Sequence, residues 1–267
     1  MSELPTESRN PRSRGLASFS TAEILELMND EDASVPGAVR GALPSIERCV
    51  DAIVDAFAHG GRLRYVGAGT SGRLGVLDAS EAPPTFGVEP DLVRGLIAGG
   101  DTALRSSIEG AEDDPDGGAR DARAHVRRGD VVVGISASGR ARYVLAALAA
   151  ARELGARTVA LTCDAASPLA RAADIAIAMD VGPEILAGSS RLKAGTATKL
   201  VLNMLSTAAM IRSGRTRGDL MIDLRPTNAK LRARAIRIVR DETGLDESAA
   251  QARLEASGWS VRKALEP

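Results

Sequence analysis

Five short apolar runs of strand length, separated by stretches with helical spacing, constrain this chain more than any other feature. They are Arg62–Val66, Leu92–Ala98, Asp130–Ile135, Thr158–Thr162 and Asp174–Ala178. Strand and helix alternating at this spacing predict βαβ units, hence a parallel sheet covered by helices on both faces. No run approaches the roughly twenty apolar residues of a membrane-spanning helix. The first fifteen residues carry Glu3, Glu7, Arg9, Arg12 and Arg14 in place of an apolar signal segment.

Around this core the pattern is helical. Ser20 or Thr21 is the expected cap of a short helix with Glu23 in its first turn. One longer helix is expected over 36–58, with Val39, Leu43, Ile46, Val50, Ile53, Val54 and Phe57 on one stripe and Gly60-Gly61 ending it. A short helix after Val66 is expected to stop before Pro83-Pro84. Further helices are expected over 101–112, 116–127, 192–211 and 225–240, with two short ones over 244–266 broken at Gly258. The division implied is an N-terminal arm and helices over 1–52, an α/β domain over 53–216 and a C-terminal helical segment over 217–267.

Composition then removes whole classes of function. Lys and Arg number 34 against 35 Asp and Glu, so no bulk field draws nucleic acid or an anionic membrane. Three Phe, two Tyr and one Trp are too few for a base-stacking platform. The two cysteines, Cys49 and Cys163, provide neither a disulfide framework nor a four-ligand zinc site, which reads as a reduced, cytoplasmic chain. His59 and His125 fall in no nucleophile or metal constellation. The basic stretch Lys230 to Arg240 lacks interleaved aromatics and runs into Asp241-Glu242, so it reads as solvated or subunit-facing.

Any anion site must therefore be local, and two loops of one kind provide it. Gly67-Ala68-Gly69-Thr70-Ser71-Gly72 and Ser136-Ala137-Ser138-Gly139 each leave a buried strand and enter a helix. Backbone amides at a helix start, joined by the hydroxyls of Thr70, Ser71, Ser136 and Ser138, hold a phosphate monoester without lysines. The first loop is formally G-x-G-x-x-G, but a dinucleotide site also needs a full-length helix next, where Pro83-Pro84 are expected to cut this one short, and an acidic end to the second strand, which here reads Ala98-Gly99-Gly100. A third segment, Gly188 to Thr196, adds Ser190 and a positive charge from Lys193 or Arg191; taken alone, it reads better as a plain serine cap followed by solvated charges. Glu81 precedes Pro83-Pro84-Thr85-Phe86 in a stiff, partly apolar corner suited to raising a carboxyl's pKa, although a lone Glu before Pro-Pro is more often a turn residue than a general acid. Glu112 stands in the acidic run Glu109 to Asp114, which alone reads as a solvated helix end.

These loops resemble the sugar isomerase (SIS) domain, and longer strings narrow the resemblance to N-acetylmuramic acid 6-phosphate etherases. The strings are Gly67 to Glu81 with Pro83-Pro84-Thr85-Phe86-Gly87, Leu96-Ile97-Ala98-Gly99-Gly100 and Glu109 to Asp113. Arg191-Leu192-Lys193, Gly195-Thr196-Ala197, Leu200 to Thr207 and Thr6-Glu7-Ser8-Arg9-Asn10-Pro11 extend them. The resemblance implies a three-layer αβα sandwich with a flavodoxin-like parallel sheet, plus N- and C-terminal helices. It implies cleavage of the substrate's D-lactyl ether in cell-wall recycling by a cytoplasmic homodimer without cofactor, metal, nucleic acid or membrane. It places the catalytic glutamates on Glu81, as acid, and Glu112, as base, and the sequence leaves the reverse assignment open. Phosphosugar contacts fall on Gly69, Thr70, Ser71, Gly72, Ser136, Ser138, Gly139, Ser190 and Lys193. Ala82 stands where many members have cysteine, and the chain ends soon after Trp259, earlier than the family pattern. Two rivals share the fold: an aldose–ketose isomerase, needing one glutamate base, and a phosphosugar-sensing regulator. The 1–60 region is too short and too poor in clustered basic residues for a regulator's helix-turn-helix domain.

Overall fold

The computed structural model describes residues 7–224 and 226–266; Thr6 of the N-terminal string and Arg225, the expected helix start, lie outside them. Helix α1 (Thr21–Asp32) opens on a capping box in which Ser20 and Glu23 bond each other's backbone amides. The single helix expected over 36–58 is two, α2 (Val35–Gly41) and α3 (Leu43–Ala58). Pro44 explains the break, because it has no N–H to give the carbonyl four residues back.

The five expected strands form one parallel sheet: β1 (Leu63–Gly67), β2 (Val93–Ile97), β3 (Val131–Ile135), β4 (Arg157–Thr162) and β5 (Ile175–Ala178). Their order is β2-β1-β3-β4-β5. Alternate residues face opposite layers, as a two-residue period requires. Leu63, Tyr65, Val131, Val133 and Ile135 join one core with α2 and α3, together with α4 (Gly69–Phe86) and α8 (Lys193–Arg212). Val66 and Val132 join the other, under α5 (Pro115–His125), α6 (Arg142–Glu153) and α7 (Pro168–Ala172). The fold is a three-layer αβα sandwich of flavodoxin-like order. A two-stranded hairpin follows, β6 (Thr216–Arg217) and β7 (Leu220–Met221). Helices α9 (Ala229–Thr243), α10 (Glu247–Ala256) and α11 (Val261–Ala264) then enclose a third small core. Among the described residues no helix is long and apolar enough to cross a membrane.

Two further expectations are corrected. Helix α4 does not stop before the prolines but carries both in its last turn, to Phe86. Only the carbonyls of Ala79 and Ser80 lose a partner there, and packing of α4 on β1, β2 and α8 holds the turn. Residues 101–112 form no helix; short 3₁₀ turns at Asp101–Leu104 and Ala111–Asp113 flank a loop.

Candidate active site

The sheet order places a topological switch between β1 and β3, whose outgoing chains leave toward opposite faces. Both expected loops stand there. Gly67 pairs with Ile135, so Ala68 and Ser136 emerge side by side at the carboxyl ends of neighbouring strands. They open into a cavity of about 290 Å³ lined by Gly69, Thr70, Ser71, Ser136, Ser138 and Ser190, with Glu7 and Glu112 at its walls.

The helices entering this cavity differ at their N-termini. Among the described residues no side chain caps α4 or α6, so their first-turn amides, with the positive end of each helix dipole, are left for a ligand. Helix α8 is different. Glu184, buried to 2% exposure, accepts from the Lys193 and Ala194 amides at 3.0 Å each, so this helix end already holds an anion. Sequence reasoning missed Glu184, which stands nine residues before the helix it caps. Of the third segment, Gly188 and Ser190 reach the cavity.

Three expected contacts stand outside this lining. The buried Lys193 ammonium lies 2.6 Å from Glu31 on α1, which also holds Asn10 at 2.8 Å and Arg12 at 3.1 Å. Burial lifts the Glu31 carboxyl, but the Lys193 ammonium with Asn10 and Arg12 outweighs it and holds it below its usual range. Gly72 serves packing, since a β-carbon there would meet Ile97 at 2.6 Å. Gly139 does too: at φ +64° its β-carbon would stand 2.3 Å from the Ser167 hydroxyl. Glu7 is an acidic lining residue that the phosphate reading did not single out.

The chain is 55% identical over 265 residues to N-acetylmuramic acid 6-phosphate etherase of Symbiobacterium thermophilum, covering 99% of this chain and 88% of that one. The chain belongs to the N-acetylmuramic acid 6-phosphate etherase family. The protein of that name from Gloeobacter violaceus is 55% identical over 98% of this chain and 86% of its own. Residues 45–152 match the glucokinase regulatory protein N-terminal SIS domain, and residues 112–208 match the SIS domain. Phosphoheptose isomerase from Neisseria gonorrhoeae shares the fold at TM-score 0.55 and 20% identity, covering 71% of this chain and 98% of that one.

The two glutamates that the etherase resemblance singles out do not share a cavity. Glu112 lies in the 3₁₀ turn after β2 and is exposed at the wall of the hydroxyl-lined cavity. Glu81 lines a separate cavity of about 360 Å³ with Asp78, Lys199, Asn203 and Ser206. It is exposed, so the stiff corner expected to bury it does not. Desolvation falls on Asp78 instead. Its carboxyl accepts from the Tyr65 hydroxyl at 2.9 Å and the Ser206 hydroxyl at 3.1 Å, and burial still pushes its pKa above the usual range. Glu81 stands twelve residues beyond Gly69 on one helix, about 18 Å of rise from the end that faces the hydroxyl-lined cavity.

Proposed function

We propose that the protein is a cytoplasmic carbon–oxygen lyase that cleaves the D-lactyl ether of N-acetylmuramic acid 6-phosphate. The products are D-lactate and N-acetylglucosamine 6-phosphate, as amino sugar recycling from the cell wall requires. One observation carries the reading: a hydroxyl- and amide-lined cavity at the sheet's switch point, with Glu112 at its wall, in a chain 55% identical to a named etherase over 99% of its length.

The free amides of Gly69 to Ser71 and the hydroxyls of Thr70, Ser71, Ser136, Ser138 and Ser190 hold the phosphate, fixing the open-chain sugar. The C1 aldehyde acidifies the C2 proton. The Glu112 carboxylate takes that proton, and the C2–H electron pair becomes the C2=C3 bond as the C3–O bond breaks. Protonated Glu81 gives its proton to the departing ether oxygen, and D-lactate leaves. Glu81, now a carboxylate, takes a proton from water, whose hydroxide adds at C3 while protonated Glu112 returns a proton to C2. The sum is ether plus water giving alcohol plus lactate.

This sequence of steps needs both carboxylates on one sugar, whereas Glu81 lies about 18 Å along α4 from the phosphate end. The active unit in this reading is a homodimer in which a second copy supplies Glu81 to the cavity holding Glu112. The α4 surface beside Glu81 suits such a contact, because Leu77, one turn back, is 45% exposed. The 53–216 region carries the chemistry, with 1–52 and 217–267 as helical additions. Release of D-lactate from the purified protein tests the reaction; a substrate left intact, or isomerised with no lactate released, overturns it. Mixing inactive Glu81→Gln and Glu112→Gln chains tests the shared site. Random re-pairing restores about a quarter of wild-type activity if sites are shared, and none if each chain is self-sufficient.

A further inference from the structure

Beyond Glu112 a second cavity of about 260 Å³ opens, sharing Ala68, Gly69 and Glu112 with the hydroxyl-lined one. Its charge is unlike its neighbour's. Among the described residues the hydroxyl-lined cavity has no cation in its lining, while the second has Arg73 from the second turn of α4. Arg73 Nε donates to the Leu104 carbonyl at 3.2 Å, which fixes the guanidinium plane. Its terminal nitrogens have no hydrogen-bond or ion-pair partner among the described residues, although Glu109 and Glu112 share the same cavity. The nearby wall is apolar: Ala98, Ala103 and the 41% exposed Ile108. A planar cation anchored on one edge and open on the other is built to take a carboxylate through two parallel N–H bonds.

We propose that Arg73 binds the carboxylate of the lactyl group, with the lactyl methyl against Ala103 and Ile108. This rests on the etherase reading and adds to it a residue that selects the ether substituent. The geometry follows from the chemistry. A phosphate seated on the hydroxyls brings C2 to Glu112, and C3 with its ether oxygen is the next atom along. The substituent on C3 then enters the cavity on the far side of Glu112, where Arg73 stands. Arg73 contacts the leaving group and not the phosphate, so it sets preference among ethers without setting affinity for the sugar.

The test uses the full chain as Arg73→Ala and Arg73→Gln, the latter able to keep a donor on the Leu104 carbonyl. Three probes are compared: N-acetylmuramic acid 6-phosphate, its lactamide analogue with the carboxylate as a carboxamide, and N-acetylglucosamine 6-phosphate, which lacks the substituent. For the natural ether kcat/KM falls roughly 100-fold in both variants, and for the lactamide by less than about three-fold. Affinity for N-acetylglucosamine 6-phosphate stays within about two-fold of wild type, which also shows that the variants are folded. Equal losses on both ethers, no loss on either, or lost binding of N-acetylglucosamine 6-phosphate each overturn the assignment; the last makes Arg73 a phosphate ligand. A wild-type protein that releases no lactate overturns the etherase reading instead, so the two failures are told apart.

Discussion

The two ends of the parallel sheet treat their polar groups in opposite ways. At the end where strands enter, Arg62 places Nε and Nη2 on Asp130 at 3.2 and 2.8 Å and Nη1 on Asp91 at 2.6 Å. Arg64, fully buried, bonds the carbonyls of His125 and Asp91 at 3.0 and 2.8 Å. Asp130, also fully buried, takes the amides of Arg62 and Arg127 as well. At the exit end two helices start uncapped, and the hydroxyls of Thr70, Ser71, Ser136 and Ser190 have no partner among the described residues. A fold normally satisfies its own polar groups. Where one end does so with buried ion pairs and the other leaves amides and hydroxyls open, the open end is where a ligand completes the set.

Substitutions at the two ends should therefore separate activity from stability. Glu112→Gln is expected to lower lactate release about 10³-fold. Its melting temperature should match wild type, because Glu112 is exposed and unpaired among the described residues. Turnover above a tenth of wild type would remove Glu112 from the chemistry. Asp130→Ala should do the reverse, costing about 3–5 kcal/mol in denaturant unfolding because Arg62 is left with a broken buried pair. The folded fraction should keep wild-type kcat, and a changed kcat would show that the two ends are coupled.

Lys193 tests the comparison from within the site region, since sequence reasoning made it a phosphate ligand and the structure pairs it with Glu31. Lys193→Met should cost about 2 kcal/mol, less than at Asp130, because Glu31 retains Asn10 and Arg12. Affinity for the phosphosugar should be unchanged; lost affinity at intact stability would return the lysine to the ligand set. The pH dependence has a definite sign. Glu31 is held below its usual range, so its contribution is present above the ordinary carboxylate pKa and fades as pH falls through the lowered one. Measured by thermal melts, the gap between wild type and variant should shrink toward acid.

The strands and hydroxyl loops were legible because they are local: five apolar runs, each within two residues of its observed ends, and Gly/Ser segments directly after two of them. What escaped is what three-dimensional packing decides. Pro83 and Pro84 signal a stop in any local reading, yet α4 is held through them by contacts with β1, β2 and α8. Glu184 caps α8 from a loop that nothing in the spacing ties to it, and Glu31 neutralises Lys193 across 162 residues. Glu81 and Glu112 were identifiable by resemblance, but that they line different cavities, with Glu81 far along α4 from its Gly69 end, enters only once α4 is seen to be continuous.

The smallest effect concerns Asp78, on the same helix one turn before Glu81. Ser206 has one hydroxyl proton and two acceptors in reach, the Leu202 carbonyl and Asp78, each at 3.1 Å. When its proton goes to Leu202, an ionised Asp78 keeps the Tyr65 hydroxyl as its one hydrogen-bond donor among the described residues. A protonated Asp78 can itself donate to the Ser206 oxygen; the bonds accepted from Tyr65 and Ser206 favour the anion, but burial outweighs them and favours the neutral form. Asparagine reproduces that form: its carbonyl accepts from Tyr65, its amide donates to Ser206, and Ser206 donates to Leu202. Because the folded-state pKa is raised, wild type is at full stability below the ordinary aspartate pKa. It loses stability as pH rises toward the raised value, and Asp78→Asn does not. Thermal melts should therefore coincide in acid, diverge in favour of Asp78→Asn as pH rises, and differ by a constant amount above the raised pKa. A variant less stable than wild type at neutral pH would show that Asp78 is held as an anion, and that the charge beside Glu81 is part of the site.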